Sequence, residues 1–164
     1  MTTPGTSTRA TSTPGTRSPV EQIDPRGLRF AATVTAVVLA LALLTGNVVV
    51  LALQAVVFAA GVLLGPRFSP YGLFYARVIR PRIGPPVETE DARPPRFAQG
   101  VGLAFALIGV IAELAGLGAL AVVAIAFALV AAVLNAAFSF CLGCQVYLLG
   151  RRVIGRLAPA ASAH

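Results

Sequence analysis

Charge is what this sequence has least of. Asp, Glu, Lys and Arg make up 12% of the 164 residues and hydrophobic residues 57%, with a mean hydropathy of +0.83. That balance excludes a water-soluble domain of this size and makes lipid the solvent. Lys is missing, so all thirteen cations are Arg. His occurs once, as His164, and Cys twice. One chain therefore falls short of the four ligands a zinc site takes, and a metal centre would need a dimer. No basic n-region with a short apolar stretch opens the chain, so the first apolar run is expected to remain as an anchor rather than be cleaved as a signal. The net charge of +7 would suggest nucleic acid in a soluble protein. Here the placement of the Arg residues reads as topology, and no nucleic-acid partner or cofactor is expected.

Residues 1–22 are Thr, Ser, Pro and Gly with scattered Arg, a composition that buries too little apolar surface to fold and predicts a disordered cytoplasmic tail. Asp24 is placed to cap a helix starting at Pro25. Four spans are expected at about 28–45, 48–64, 97–117 and 119–140 within a domain over 23–150, the last with an extension to about Leu149. They form two hairpins closed by the uncharged turns Thr45-Gly-Asn47 and Gly116-Leu-Gly118. Between the hairpins runs one large loop, in which Tyr71, Phe74, Tyr75 and Val78 recur at helical spacing and predict a short amphipathic interfacial helix between Pro70 and Pro81. The alternative is a set of aromatic residues that merely ends a span. Glu88, Glu90, Asp91, Arg93 and Arg96 make a mixed-charge, proline-broken segment. Residues 151–164 are a basic, then small-residue, tail.

Four Arg precede the first span, six lie in the central loop, three follow the last span, and neither hairpin turn has any. The positive-inside rule then puts both termini and the loop in the cytoplasm of an inner-membrane protein.

Cys141 and Cys144 are three apart, which on a helix separates their Cα atoms by about 5–5.5 Å, within disulfide range. Topology puts them at the cytoplasmic boundary, where thiols stay reduced. A redox-active dithiol, a metal site and inert small hydrophobes all remain open. An unbroken helix would set both thiols at its negative end and disfavour thiolate; a new turn starting at Gly143 would reverse this. Arg151 and Arg152 help only if the chain folds back. On an ideal helix the cysteines lie roughly 120–180° around from Asn135, so the thiols are expected to face a partner rather than the bundle core.

Glu113 is the sole charge inside a span. It is either a carboxylate reaching the outer interface or, on a stripe with Gly102, Ala106, Gly109 and Gly116, a group facing another helix in a proton path. Asn135 reads as an interhelical hydrogen-bonding residue, and Gln54 shares a helix-contact stripe with Gly61 and Gly65.

Asp24-Pro-Arg26 with Arg29-Phe30, Ser69-Pro-Tyr71, Arg80-Pro81, Glu90-Asp-Ala-Arg93-Pro-Pro-Arg96-Phe-Ala-Gln99, Asn135 and Phe140-Cys-Leu-Gly-Cys-Gln-Val-Tyr147 together resemble an uncharacterised bacterial family of small four-span membrane proteins, a domain of unknown function. The resemblance covers nearly all the chain after the tail. It implies thiol or sulfur chemistry with a thioredoxin-like or sulfurtransferase-like soluble partner. Gln145 stands where many relatives carry an acidic residue. The expected function is that of a membrane partner in cytoplasmic thiol redox or sulfur transfer through Cys141 and Cys144. The alternatives are a scaffold whose Arg-rich loop docks a soluble enzyme or anionic lipid, and a small transporter using Glu113. A homo-oligomer is left open.

Overall fold

The computed structural model describes residues 21–157. The expected tail over 1–22, apart from its last two residues, and everything from 158 onward lie outside the described residues. The architecture is all-α apart from one two-residue strand pair.

The first strand, β1 (Gln22–Ile23), leads into α1 (Pro25–Thr45). Asp24 caps α1, its side chain accepting the Arg26 N–H, and Pro25 occupies the first position, where no N–H is needed. Gly46 ends α1 at φ 61°, a left-handed conformation that favours glycine. Asn47 then caps α2 (Val48–Leu63) by accepting from Val49 and Val50. After Gly65 and a 3-10 turn (Pro66–Phe68), the chain is helical from Pro70 to Ile83 as α3 (Pro70–Phe74), a π-helical turn (Tyr75–Ile79) and α4 (Arg80–Ile83). The second strand, β2 (Glu90–Asp91), precedes α5 (Arg93–Leu114). Gly116, at φ 73°, turns the chain into α6 (Gly118–Phe138), and α7 (Leu142–Leu157) follows a break.

Helices α1, α2, α5 and α6 close into a ring, α1 packing on α6 and α2 while α5 packs on α2 and α6; α7 lies against α5. The core is Leu39 and Ala42 of α1, Leu51, Ala55 and Phe58 of α2, Ala106 of α5, and Ile125 and Ala128 of α6. Small residues set the spacing: a Cβ on Gly102 would fall 2.8 Å from the Phe58 ring, and one on Gly109 would fall 2.9 Å from Leu51. Helices α1, α5 and α6 are long and apolar enough to cross a membrane, and α2 is a shorter apolar helix. Leu53, Val56, Phe127 and Val130 point outward from the ring, an apolar exterior that lipid covers at no cost and water does not.

The fourth long helix departs from expectation. It stops at Phe138 instead of extending to Leu149, because Ser139 adopts φ 55°, ψ 24° and its N–H returns to the Asn135 and Leu134 carbonyls. A fresh helix starts at Leu142. In the central loop the two tyrosines turn inward, the Tyr71 hydroxyl bonding Gln54 and the Tyr75 hydroxyl Asp24, while Phe74 stacks on Phe30 and stays exposed.

Candidate functional site: the cysteine pair and its cavity

The break after α6 decides the setting of the cysteines. Cys141 immediately precedes α7, its carbonyl accepts the Gln145 N–H at 3.0 Å, and the Cys144 N–H points at the Cys141 Sγ at 3.3 Å. The sulfur thus occupies the acceptor position that a Ser or Asp oxygen takes at a helix start. Free N–H groups and the helix dipole favour negative charge there, opposite to the setting an unbroken helix would give. The two residues stand at disulfide distance, with Cα atoms 5.1 Å apart. Arg151 and Arg152 do not fold back; they lie on α7 about 10 Å further along, by helical rise, and are exposed.

Close packing fixes the start of α7. A Cβ on Gly143 would fall 2.6 Å from that of Ala98 on α5, and the Tyr147 ring stands 5.7 Å from that of Phe97. Between α1, α5, α6 and α7 lies a cavity of about 350 Å³ reached by both cysteines. Its walls are mainly apolar, with Phe58 buried, Phe105 half-buried and Phe127 at the exposed edge, and the polar residues Arg29, Thr35, Gln99 and Asn135 also line it. The ideal-helix angle between Asn135 and the cysteines therefore does not hold. The turn at Ser139 swings the pair round, and Asn135, Cys141 and Cys144 border the same space. Among the described residues no group of three His, Cys, Asp or Glu side chains is placed to hold a metal ion.

The geometry exposes a repeat. Glu21-Gln-Ile-Asp24-Pro-Arg26-Gly-Leu-Arg29-Phe30-Ala31 and Glu88-Thr-Glu-Asp91-Ala-Arg93-Pro-Pro-Arg96-Phe97-Ala98 share Glu-x-x-Asp-x-Arg-x-x-Arg-Phe-Ala. Each opens a helical hairpin. The two segments pair antiparallel with Ile23 opposite Glu90, residues that hold the same place in the repeat, so a local two-fold passes between them. The Asp24 side chain accepts from the Arg26 N–H, and the Asp91 side chain from the Arg93 N–H, both at 2.9 Å. The Arg29 guanidinium donates to the Ala136 carbonyl at 3.3 Å, while Arg96 donates to those of Val62 and Leu63. Phe30 meets Tyr75, and Phe97 meets Tyr147. Each Tyr lies six residues beyond a helix cap: the Ser69 Oγ accepts the Gly72 N–H at 3.2 Å, as the Cys141 Sγ accepts that of Cys144. Cys141 and Cys144 thus stand where the first half has Ser69 and Gly72, and Gly143 stands where it has Tyr71.

Most of the other expected site residues serve this framework. Asp24 accepts from the Arg26 guanidinium at 3.2 Å and from the Tyr75 hydroxyl at 2.8 Å, and Arg26 also reaches the Gly84 carbonyl at 3.1 Å. Burial pushes the Asp24 carboxyl up, but the hydrogen bonds from Arg26 and Tyr75 and the guanidinium charge outweigh it and hold the group below its ordinary value. Burial, then the bond to Asp24, raises the Tyr75 hydroxyl. Gln54 is 1% exposed and accepts from the Tyr71 hydroxyl at 2.8 Å. Gly61 packs on Gln99 of α5, whereas Gly65 lies outside α2 at φ 99°, so only Gly61 of that pair serves helix contact. Glu113 sits half-buried in the last turn of α5, at the opposite end of the ring from the cysteines. Of the cavity-lining polar residues, Thr35 had no sequence signal, and Gln99 was marked only as the end of the Glu90–Gln99 motif. Ser69 was legible as part of the Ser69-Pro-Tyr71 motif but not as the counterpart of Cys141.

A family model described as a domain of unknown function (DUF4395) matches residues 23–152. No curated protein and no solved structure matches the chain.

Proposed function

We propose that this chain, which belongs to the DUF4395 family, is a four-span inner-membrane protein with both termini cytoplasmic, acting as a membrane partner in cytoplasmic thiol redox or sulfur transfer. Cys141 and Cys144 are its working groups. The observation that carries this reading is the place of Cys141: its sulfur is the first acceptor of α7, with the Cys144 N–H at 3.3 Å, and the Cα atoms of the two cysteines lie 5.1 Å apart. A thiolate there is stabilised by the helix start, and the second thiol is near enough to resolve a mixed disulfide without backbone rearrangement. The internal repeat supports the same reading, because a Ser–Gly cap suffices structurally in the first half and the thiols are the second half's addition. The shorter α2 completes the second crossing of the first hairpin. The partner is a thioredoxin-like or sulfurtransferase-like soluble protein.

Cells expressing Cys141→Ser or Cys144→Ser, quenched with acid and alkylated, should accumulate a mixed disulfide between the remaining cysteine and such a partner. If neither variant traps a partner, the scaffold reading, with its Arg-rich loop as the docking element, replaces this one.

A further inference from the structure

The two halves of the molecule differ most in what lies behind the cysteine pair. In the first half Tyr71, two residues beyond the Ser69 cap, sends its ring into the bundle until its hydroxyl bonds Gln54 of α2. In the second half Gly143 holds that position and has no side chain to send. Its Cβ direction is closed by Ala98 of α5 at 2.6 Å, and beside that contact lies the cavity of about 350 Å³ that both cysteines border.

We propose that this cavity takes the ring of a bilayer quinone, and that the quinone is the electron acceptor of the Cys141–Cys144 dithiol. The proposal rests on the thiol-redox reading above and names its missing oxidant. The chemistry of the walls selects this class. Phe105, stacked on the outer Phe127, offers an aromatic face to a flat ring, and the side-chain amides of Gln99 and Asn135 offer N–H groups to quinone carbonyl oxygens. A nucleotide cofactor fits poorly, because Arg29 is the one cation on these walls and it already bonds the Ala136 carbonyl. An uncharged, lipid-soluble acceptor suits a site walled by membrane-length helices. In the reaction the two S–H bonds break, the S–S bond between Cys141 and Cys144 forms, and two electrons and two protons pass to the quinone, whose two carbonyls become hydroxyls. A soluble dithiol then reduces the disulfide through a mixed disulfide and leaves oxidised, so each turnover moves two electrons from cytoplasmic thiol to quinol.

The test uses the purified full-length protein, reduced, freed of reductant without air, and mixed with decylubiquinone, whose fully substituted ring has no C–H position to which a thiol can add. The expected result is loss of quinone absorbance equal to one quinol per chain, with both cysteines becoming resistant to alkylation; Cys141→Ser and Cys144→Ser should form no quinol. Asn135→Leu removes a carbonyl partner and should slow quinone reduction by about tenfold. Ala131→Phe fills the cavity and should slow it at least as much. Both variants should still close their disulfide with oxidised glutathione at the parent's rate, which shows that the fold and the thiols are intact. If the parent closes with oxidised glutathione and traps its partner but leaves decylubiquinone oxidised, the quinone proposal is overturned and the thiol-redox reading stands. Quinone reduction at the parent's rate in both cavity variants overturns the proposed site. A pair that neither closes nor traps a partner takes both readings down.

Discussion

Arg29 and Arg96 hold the same place in the two halves of the chain, and each closes the end of a helix belonging to the other half. Arg29 of α1 bonds the Ala136 carbonyl near the end of α6; Arg96 of α5 bonds those of Val62 and Leu63 at the end of α2. Carbonyls in a helix's last turn have no partner within the helix, and a guanidinium satisfies them while favouring the negative end of the dipole. The two exchanges fasten the hairpins together at the end of the bundle where the cysteines lie.

Replacing these residues should therefore loosen the molecule unequally. Arg29→Gln loses one charged hydrogen bond and should cost about 1 kcal/mol of unfolding free energy in detergent, Arg96→Gln about twice that. The double variant should be near the sum, since the two share no partner. A larger loss at Arg29 than at Arg96 would go against the exchange described.

Asp24 gives a pH signature. Its carboxyl is held below the unfolded value of about 4 by bonds from Arg26 and Tyr75 that outweigh burial. A depressed carboxyl contributes stability that is complete above the unfolded value and is lost as the pH falls through the folded one. Asp24→Asn should unfold more easily than the parent at neutral pH, by about 1 kcal/mol for the weakened bonds from Arg26 and Tyr75. The difference should shrink as the pH falls below about 4, read by thermal unfolding across a pH series. A gap that persists unchanged into acid would show that Asp24 acts through shape alone.

Gly143 positions α7. An added Cβ would fall 2.6 Å from that of Ala98, nearer than two carbons pack, so Gly143→Ala must push α7 away from α5. The Phe97–Tyr147 contact should open, and closure of the cysteine pair by oxidised glutathione should slow. Gly150→Ala, where nothing lies within 4 Å of an added Cβ, is the control and should behave as the parent. Equal behaviour of the two variants would remove Gly143 from the account.

Orientation is tested by labelling. In a background without the native pair, cysteines at Asn47 and Gly118 should react with a membrane-impermeant maleimide added to intact cells, and one at Thr89 should not. Glu113→Gln should leave partner trapping unchanged, since Glu113 lies at the far end of α5. Labelling at Thr89 with silence at Asn47 would reverse the orientation.

Much of this was legible in advance. The turns at Gly46 and Gly116, the Asp24 cap and the long apolar helices follow from punctuation and hydropathy, which act locally. The break at Ser139 did not, because Ser-Phe-Cys holds neither Pro nor Gly and its left-handed residue is a serine; packing of α7 on α5 makes the turn. Gly143 drew attention to the right region for a different reason, since it permits that packing and does not itself break a helix. The repeat was legible in principle. Its second copy lies in a stretch that reads as a proline-broken charged loop, and only the pairing of Ile23 with Glu90 shows the copies to be equivalent. The cavity lay beyond reach from sequence, since its walls come from α1, α5, α6 and α7, which only the fold brings together.

The central claim is that Cys141 and Cys144 act as one redox unit. Its most direct test is a redox titration: the purified full-length protein is equilibrated in graded glutathione buffers, quenched with acid, alkylated and weighed by mass spectrometry. One two-electron transition is expected between a species carrying two labels and one carrying none, with no glutathione adduct accumulating, because the second thiol resolves the mixed disulfide at once. Two independent one-label steps, or a pair that stays fully reduced across the whole series, would contradict it.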